Sequence, residues 1–415
     1  MGDGASRARF RPSSTLERPG SAGRGPVGRC ARPVPCARVE RFDVIVAGVG
    51  GMGSAALFHL ARRGLRVLGI DPHGIAHDRG SSHGQTRIIR KAYFEHPAYV
   101  PLVERAYAGW SELESLSGEQ LFQPTGLLTV GRPDGPVVQG TRRSANEHGL
   151  SIESLDGDEL RHRFGLLRGD ADMIGLWEPE AGFLHVEACV RTFIDQAVRY
   201  GATLALGESV DRWETSAGGV AVTAGRGRYQ ADRLVVCAGP WTARLVPGLG
   251  IPIAVRRKVM MWFDAPDDRY RLDHGFPVFC FDTAEGFYYG YPALADGLLK
   301  VARHTGGQPV DHPSRIDRSL QLEDRMEVVE FMRRHLPGVG RDVRDYSVCM
   351  YSMTPDEHFI VDRLPSAPHV IVAAGFSGHG FKFAPVIGSA LADLVEHGRT
   401  LEPIGLFSAD RSRCP

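Results

Sequence analysis

The 415-residue chain has little lysine, few cysteines, no net charge and no run of about 18 apolar residues. Each scarcity excludes something. Without a long apolar run, no helix is expected to span a bilayer. With 49 basic against 49 acidic side chains, the chain lacks the long-range field by which proteins gather nucleic acid or anionic membranes. Small molecules are therefore the expected partners of a soluble protein. Seven scattered cysteines with no C-x-x-C pair suggest neither a disulfide framework nor a zinc site, and fit a reducing, cytoplasmic setting. Lysine occurs only at Lys91, Lys258, Lys300 and Lys382, the other 45 cations being arginine. Against such a bias, a retained lysine marks a place where a compact ammonium works and a planar, permanently charged fork does not.

What is present is ample: 43% hydrophobic residues over a length that suits two or three domains with real cores. Residues 1–40 differ, with eight arginines, no lysine and many Gly, Pro and Ser. Lacking apolar periodicity, they cannot offset the entropy of ordering, so disorder is expected there. An Arg-rich, acid-poor leader suits an organellar transit peptide. This one is studded with proline and has no amphipathic pattern, so a translation start placed too far upstream fits equally well.

Order is expected from Phe42-Asp43-Val44-Ile45-Val46-Ala47, an apolar, β-branched run that reads as a buried parallel strand. Gly48-Val49-Gly50-Gly51-Met52-Gly53 follows, then a helical stretch from Ser54 to Arg63 that Gly64 is placed to stop. A second strand, Arg66 to Ile70, ends at Asp71. Strand, Gly-x-Gly-x-x-Gly, helix, strand and acid stand in the register of a dinucleotide site. Gly48 permits the tight turn, Gly50 lets backbone approach a pyrophosphate, Gly53 allows close helix packing, and the helix start supplies N–H groups. Asp71 would accept from ribose hydroxyls.

Leu234 to Trp241 and Val370 to Gly375 read as later returns to the same sheet, the second leading through Phe376–Lys382 into a helix with Pro385 in its first turn. A dinucleotide domain assembled from separated pieces suits a flavoprotein with inserted segments better than a compact NAD dehydrogenase half. Val259 to Phe263 and Gly286 to Tyr291, lying between the pieces, suggest a β-rich substrate domain.

Three segments carry a resemblance: Gly84-Gln85-Thr86-Arg87-Ile88-Ile89-Arg90; Val348-Cys349-Met350-Tyr351 with Asp356 to Asp362; and Gly375-Phe376-Ser377-Gly378-His379-Gly380-Phe381-Lys382. In this order they resemble the monomeric sarcosine oxidase and N-methyltryptophan oxidase family of D-amino-acid-oxidase-type flavoproteins, from about Phe42 to about Phe407. The resemblance implies an α/β fold: a Rossmann-like FAD domain built from discontinuous segments (41–123, 182–253 and 355–405) and a catalytic domain with a mixed, largely antiparallel sheet (124–181 and 254–354), then a tail at 406–415. It implies a monomer that oxidises a secondary amino acid to an imine and passes the electrons to oxygen, giving hydrogen peroxide.

Roles follow by matching positions. Cys349 matches the residue whose sulfur is joined to the flavin. Gly48, Gly50, Gly51, Gly53, Asp71, Thr86, Arg87, Gly378, His379 and Gly380 fall on the cofactor side, with Gly378 to Lys382 offering N–H groups where the reduced flavin is anionic. Arg90 and Lys382 match the pair that holds the substrate carboxylate. Lys300, inside the apolar run Leu298-Leu299-Lys300-Val301, matches the lysine that faces oxygen. A cation about 4 Å from a nascent superoxide, at an effective dielectric near 20, is worth about 4 kcal/mol, or about three decades of rate. Tyr289, His304 and Tyr351 match polar positions around the amine, which must lose its proton before oxidation. No metal is expected, since His73, His77, His83 and His358 lack the H-E-x-x-H pattern.

Cys280 departs from the family's sarcosine enzyme, which has methionine there, and Val259-Met260-Met261-Trp262 is bulky, so the amine substituent does not transfer. A cyclic-imine-forming oxidase or a dehydrogenase with another acceptor is the near alternative. A NAD-dependent dehydrogenase or a nonenzymatic flavin-binding protein is the distant one.

Overall fold

A computed structural model describes residues 40–225 and 227–411. The disorder expected of the Arg-rich leader concerns residues that, Glu40 apart, lie outside that range, as do the last four of the tail. Glu40 already belongs to the first strand, Glu40–Ala47, whose inner half is fully buried. This strand begins a five-stranded parallel core ordered Thr203–Leu206, Val67–Asp71, Glu40–Ala47, Gly227–Val236, Ala367–Ala374. Ile360–Leu364 closes one side antiparallel. The long strand Gly227–Val236 pairs through its first half with a hairpin, Val210–Ser216 and Gly219–Ala224. Both late strands expected from the sequence are thus members of the first sheet.

The helix after the glycine turn runs Gly51–Arg62, three residues earlier than its apolar pattern suggests, because glycines are expelled from helix interiors but tolerated in the first turn. It packs between helices Val186–Arg199 and Ala384–His397. Small residues let them meet: a Cβ added at Gly388 would lie 2.7 Å from the Ala55 backbone.

The second sheet has nine strands, and every neighbouring pair is antiparallel except Leu127–Gly131 with Val278–Thr283. Helix Leu322–His335 covers one face, with Phe331 stacked on Tyr288 at 4.3 Å. The two-residue period of a strand decides what faces the other way. Val259, Met261 and Phe263 join the core under the helix, whereas Met260 and Trp262 cluster with Ala302 and Cys349 on the opposite face. Likewise Leu299 and Val301 are core, leaving Lys300 between them on the far side. A small sheet of Thr86–Ile89, Gly182–His185 and Phe122–Pro124 supports the chain carrying the arginines.

At the C-terminus, Phe407 is buried, Ser408 and Ala409 donate to Asp362 at 2.9 Å, and Arg411 pairs with Asp356. The end of the described chain is thereby fastened to the first sheet.

A Cβ at Gly53 would lie 1.8 Å from the Gly48 carbonyl oxygen, while one at Gly74 meets nothing within 4 Å. Gly53→Ala is expected to cost about 1–3 kcal/mol in urea unfolding, and Gly74→Ala less than about 0.5 kcal/mol.

Candidate active site

A cavity of about 570 Å³ opens at the C-terminal ends of the parallel strands, where open α/β sheets take ligands. Its lining includes Gly48, Gly50 and Gly51 from the first turn and Gly378, Gly380 and Tyr351 from the later segments. Gly48 has φ +89°, a conformation that disfavours any side chain. Gly50, the residue before the helix, has no side chain to cap its start; the Gly51 N–H donates to Ser82 Oγ at 3.1 Å, and the rest of the first turn opens on the cavity. A Cβ at Gly50 would approach only Ser82 Oγ, at 3.8 Å, so that flank is open. Gly53 does not line the cavity; it lets the helix sit against the Gly48 turn. Asp71 is buried at the cavity wall and accepts from the N–H groups of Val49 (3.0 Å) and His73 (2.9 Å). These features fit a dinucleotide: a glycine turn and helix start with an open flank for phosphates, and a fixed carboxylate at the second strand's end.

A smaller cavity of about 70 Å³ adjoins it, sharing Arg87, Tyr351, Gly378 and Phe381. Its walls include Arg90, Lys382, Tyr289, His304 and His379, with Phe94, Phe287 and Cys280. Arg90 Nη2 donates to both oxygens of Glu95 at 2.9 and 2.7 Å, and its guanidinium lies 4.3 Å from the Tyr93 ring centre. Lys382 Nζ donates to the His379 carbonyl at 2.7 Å. His379 Nδ1 meets the Tyr93 hydroxyl at 2.6 Å, and Tyr351 Oη meets His304 Nδ1 at 3.3 Å.

Burial sets the charges. It takes His304 down to about 3 and His379 to about 4, so both rings are neutral near pH 7. Burial raises the Tyr289 and Tyr351 hydroxyls, which stay protonated. Burial, the largest single influence, would raise Glu95, but Arg90 together with His379 and Lys382 outweighs it and holds the carboxyl at about 2. Lys382 is brought to about 7, by burial first and then by Arg90. The small cavity therefore carries the Arg90–Glu95 pair, the Arg87 cation and a lysine poised to gain or lose its proton.

Cys349 is 2% exposed and does not line either cavity; its Sγ lies 3.7 Å from Arg87 Nη2 and 3.6 Å from the Ser81 carbonyl, both of which do. Lys300 also sits behind the wall. Its ammonium donates to the Gly84 carbonyl (2.6 Å), the Thr86 carbonyl (3.1 Å) and Thr86 Oγ1 (3.0 Å), between the rings of Tyr291 and Trp262. Burial, then Arg87, push its pKa well below that of a free lysine. Thr86 thus supports Lys300 and lies outside the cavity lining. Sequence reasoning passed over Glu95 and Glu187. Glu95 stands five residues after Arg90 in no recognisable motif, and Glu187 has the setting of any acid in a helix's first turn. Among the described residues, no group of three His, Cys, Asp or Glu is placed to hold a metal ion, and no helix is long and apolar enough to cross a membrane.

Residues 43–394 match the family described as FAD dependent oxidoreductase. Monomeric sarcosine oxidase of Streptomyces avermitilis is 43% identical over 89% of this chain and 97% of its own length. N-methyl-L-tryptophan oxidase of Yersinia pestis is 38% identical over 90% of this chain and all of its own. A solved structure of NikD, an unusual amino acid oxidase essential for nikkomycin biosynthesis, superposes with a TM-score of 0.80 at 26% identity, over 89% of this chain and 98% of that one. The chain belongs to the FAD-dependent oxidoreductase family, in its monomeric sarcosine oxidase and N-methyltryptophan oxidase group.

Lys382 is charged below about pH 7 and neutral above it. A carboxylate bound beside it favours the charged form, so the Kd of a small carboxylate inhibitor is expected to rise above pH 7, approaching tenfold per unit. Lys382→Met should flatten that slope, as measured by inhibitor titration across pH 6–9.

Proposed function

We propose that this protein oxidises a small secondary amino acid, sarcosine or another N-methyl amino acid, to its imine, with oxygen reduced to hydrogen peroxide. The observation that carries the reading is the small cavity, lined by the cations Arg90 and Lys382 and the neutral His304, Tyr289 and Tyr351, directly against the dinucleotide cavity. The FAD that this family uses would supply the acceptor for a hydride from the carbon beside the amine, and the route by which both electrons reach oxygen.

The remaining work falls to the chain. Arg90 and Lys382 hold the substrate carboxylate, which brings the net charge of the two cations, Glu95 and the ligand to zero. The phenols and imidazole, all neutral, accept from or donate to an amine without stabilising its protonated form. Phe94, Phe287 and Tyr291 leave about 70 Å³, which favours a methyl substituent over an aromatic one. Lys300 is the cation offered to dioxygen, and the N–H groups of Gly378 and Gly380 would serve the anionic edge of a bound flavin, with His379, whose N–H is taken by the Phe376 carbonyl, bracing the turn. Cys349 is the tether, its sulfur 3.7 Å from the Arg87 guanidinium.

The pieces 41–123, 182–253 and 355–405 would form the FAD domain, and 124–181 with 254–354 the catalytic domain. In support, the strands of the first sheet come from Glu40–Asp71, Thr203–Val236 and Ile360–Ala374, and those of the nine-stranded sheet from Leu127–Glu178 and Ala254–Met353. A monomer accords with the name of the Streptomyces relative. A cytoplasmic setting accords with free thiols at Cys189, Cys237, Cys280 and Cys349.

Peroxide release from a panel of sarcosine, other N-methyl amino acids, proline and pipecolate tests the activity. Turnover is expected with the small N-methyl acids, and a yellow protein inert to every amine ends this reading. Cys349→Ala should release its flavin on acid precipitation, whereas the parent keeps the colour in the pellet; colour retained by the variant would move the tether elsewhere.

A further inference from the structure

Glu187, in the first turn of helix Val186–Arg199, points its carboxylate at the Gly84–Gln85 turn rather than along its own helix. Its Oε1 accepts from Gly84 N at 2.7 Å, and its two oxygens accept from Gln85 N at 3.2 and 3.1 Å. Gly84 and Gln85 have φ of +90° and +68°, which turns two successive N–H groups toward one acceptor. On the other side of the same turn, Lys300 Nζ donates to the Gly84 carbonyl at 2.6 Å. The Gly84 carbonyl and the Gln85 N–H belong to one peptide group. A carboxylate and an ammonium therefore grip a single peptide from its two ends, each polarising it in the sense that strengthens the other's bond.

We propose that Glu187 is a positioning residue that keeps the Lys300 ammonium charged, acting through the Gly84–Gln85 peptide. Lys300 is 2% exposed, and a buried amine sheds its proton unless something nearby compensates. The ionisable groups facing it are Arg87 from Thr86–Ile89, Cys349 from Val343–Met353, Tyr291 from the neighbouring strand, His83 from the preceding loop, and Glu187. Among these, Glu187 alone is a carboxylate. Burial and Arg87 lower the Lys300 pKa, and Glu187 opposes them. The proposal rests on reading Lys300 as the cation for dioxygen, since only a protonated amine can play that part.

Only four lysines occur, so the holoenzyme carrying lysine isotope-labelled at Cε gives four NMR signals, and Lys300→Met assigns the one in question. Glu187→Gln keeps an oxygen acceptor for the two N–H groups but removes the charge; Glu187→Asp keeps the charge but shortens the reach. The Lys300 titration midpoint is expected to fall by at least about one pH unit in Glu187→Gln and to stay near the parent's in Glu187→Asp. In stopped flow, the pH above which oxygen uptake by the reduced enzyme slows should fall by the same amount in Glu187→Gln, with anaerobic reduction by substrate unchanged. An unmoved midpoint in Glu187→Gln, or an equal fall in Glu187→Asp, overturns the proposal. Should Lys300→Met take up oxygen at the parent rate, the dioxygen role of Lys300 is lost instead, while the NMR midpoints still decide whether Glu187 governs its charge.

Discussion

Keeping an amine inside the protein without stripping its proton is the constraint around which this site is built. Three of the four lysines are buried: Lys258, Lys300 and Lys382 are 6%, 2% and 6% exposed. Among the described residues, none of the three has a carboxylate within ion-pair distance; each is held by backbone carbonyls. Lys258 donates to the carbonyls of His304, Thr305 and Gly306, Lys300 to those of Gly84 and Thr86, and Lys382 to that of His379. Carbonyl dipoles soften the desolvation penalty without neutralising the charge. That leaves positive potential for a ligand, which a direct ion pair would have cancelled.

The carbonyls can converge because the turns that bear them are bent into the left-handed region. Gly84 and Gln85 precede Thr86, Gly306 and Gly307 follow Thr305, and Ser377 and Gly378 precede His379, all with positive φ. Strand alternation then brings these turns to a common place. The same two-residue period that sends Leu299, Val301 and Met261 beneath helix Leu322–His335 turns Lys300, Met260 and Trp262 to the opposite face, the face of Cys349. The nine-stranded sheet acts as a partition, with hydrocarbon and the ion-paired Arg257 and Arg303 under the helix and the buried lysines Lys258 and Lys300 on the other face.

How much of this the sequence disclosed depends on the range of the interaction. The strand–glycine–helix–strand opening is local, so its order and most of its boundaries are readable; the helix began three residues early only because glycines conceal a first turn. The later strands are legible at their apolar ends, Leu234–Val236 and Val370–Ala374, as returns to the same sheet, whereas the polar first half of Gly227–Val236, which pairs with the hairpin, is not. At the site, Arg90 stood out by its motif and Lys300 by its apolar setting. Their partners did not. Glu95 finds Arg90 by a bend of the chain, and Glu187 reaches Gly84 from a helix about a hundred residues on, with nothing in its neighbours to distinguish it from an ordinary acid at a helix start.

The scarcity of lysine acquires a physical reason in this setting. A guanidinium offers a flat fork of donors suited to a carboxylate, and Arg90 and Arg257 are used in that way, on Glu95 and Asp324. It spreads its bonds across a plane, as Arg318 does over the carbonyls of Asp78, Arg79 and Val348, where Lys258 gathers three successive carbonyls at one nitrogen, and it cannot surrender a proton. Lys258 and Lys382 both come to about 7, chiefly through burial, so each can change charge when a neighbour arrives or leaves. Arginine in those cages would stay charged whatever occupied the site, and its planar fork would widen turns already bent to receive a tetrahedral head. A sequence that writes arginine almost everywhere has kept lysine in the interior at places where a compact cation is surrounded by carbonyl oxygens.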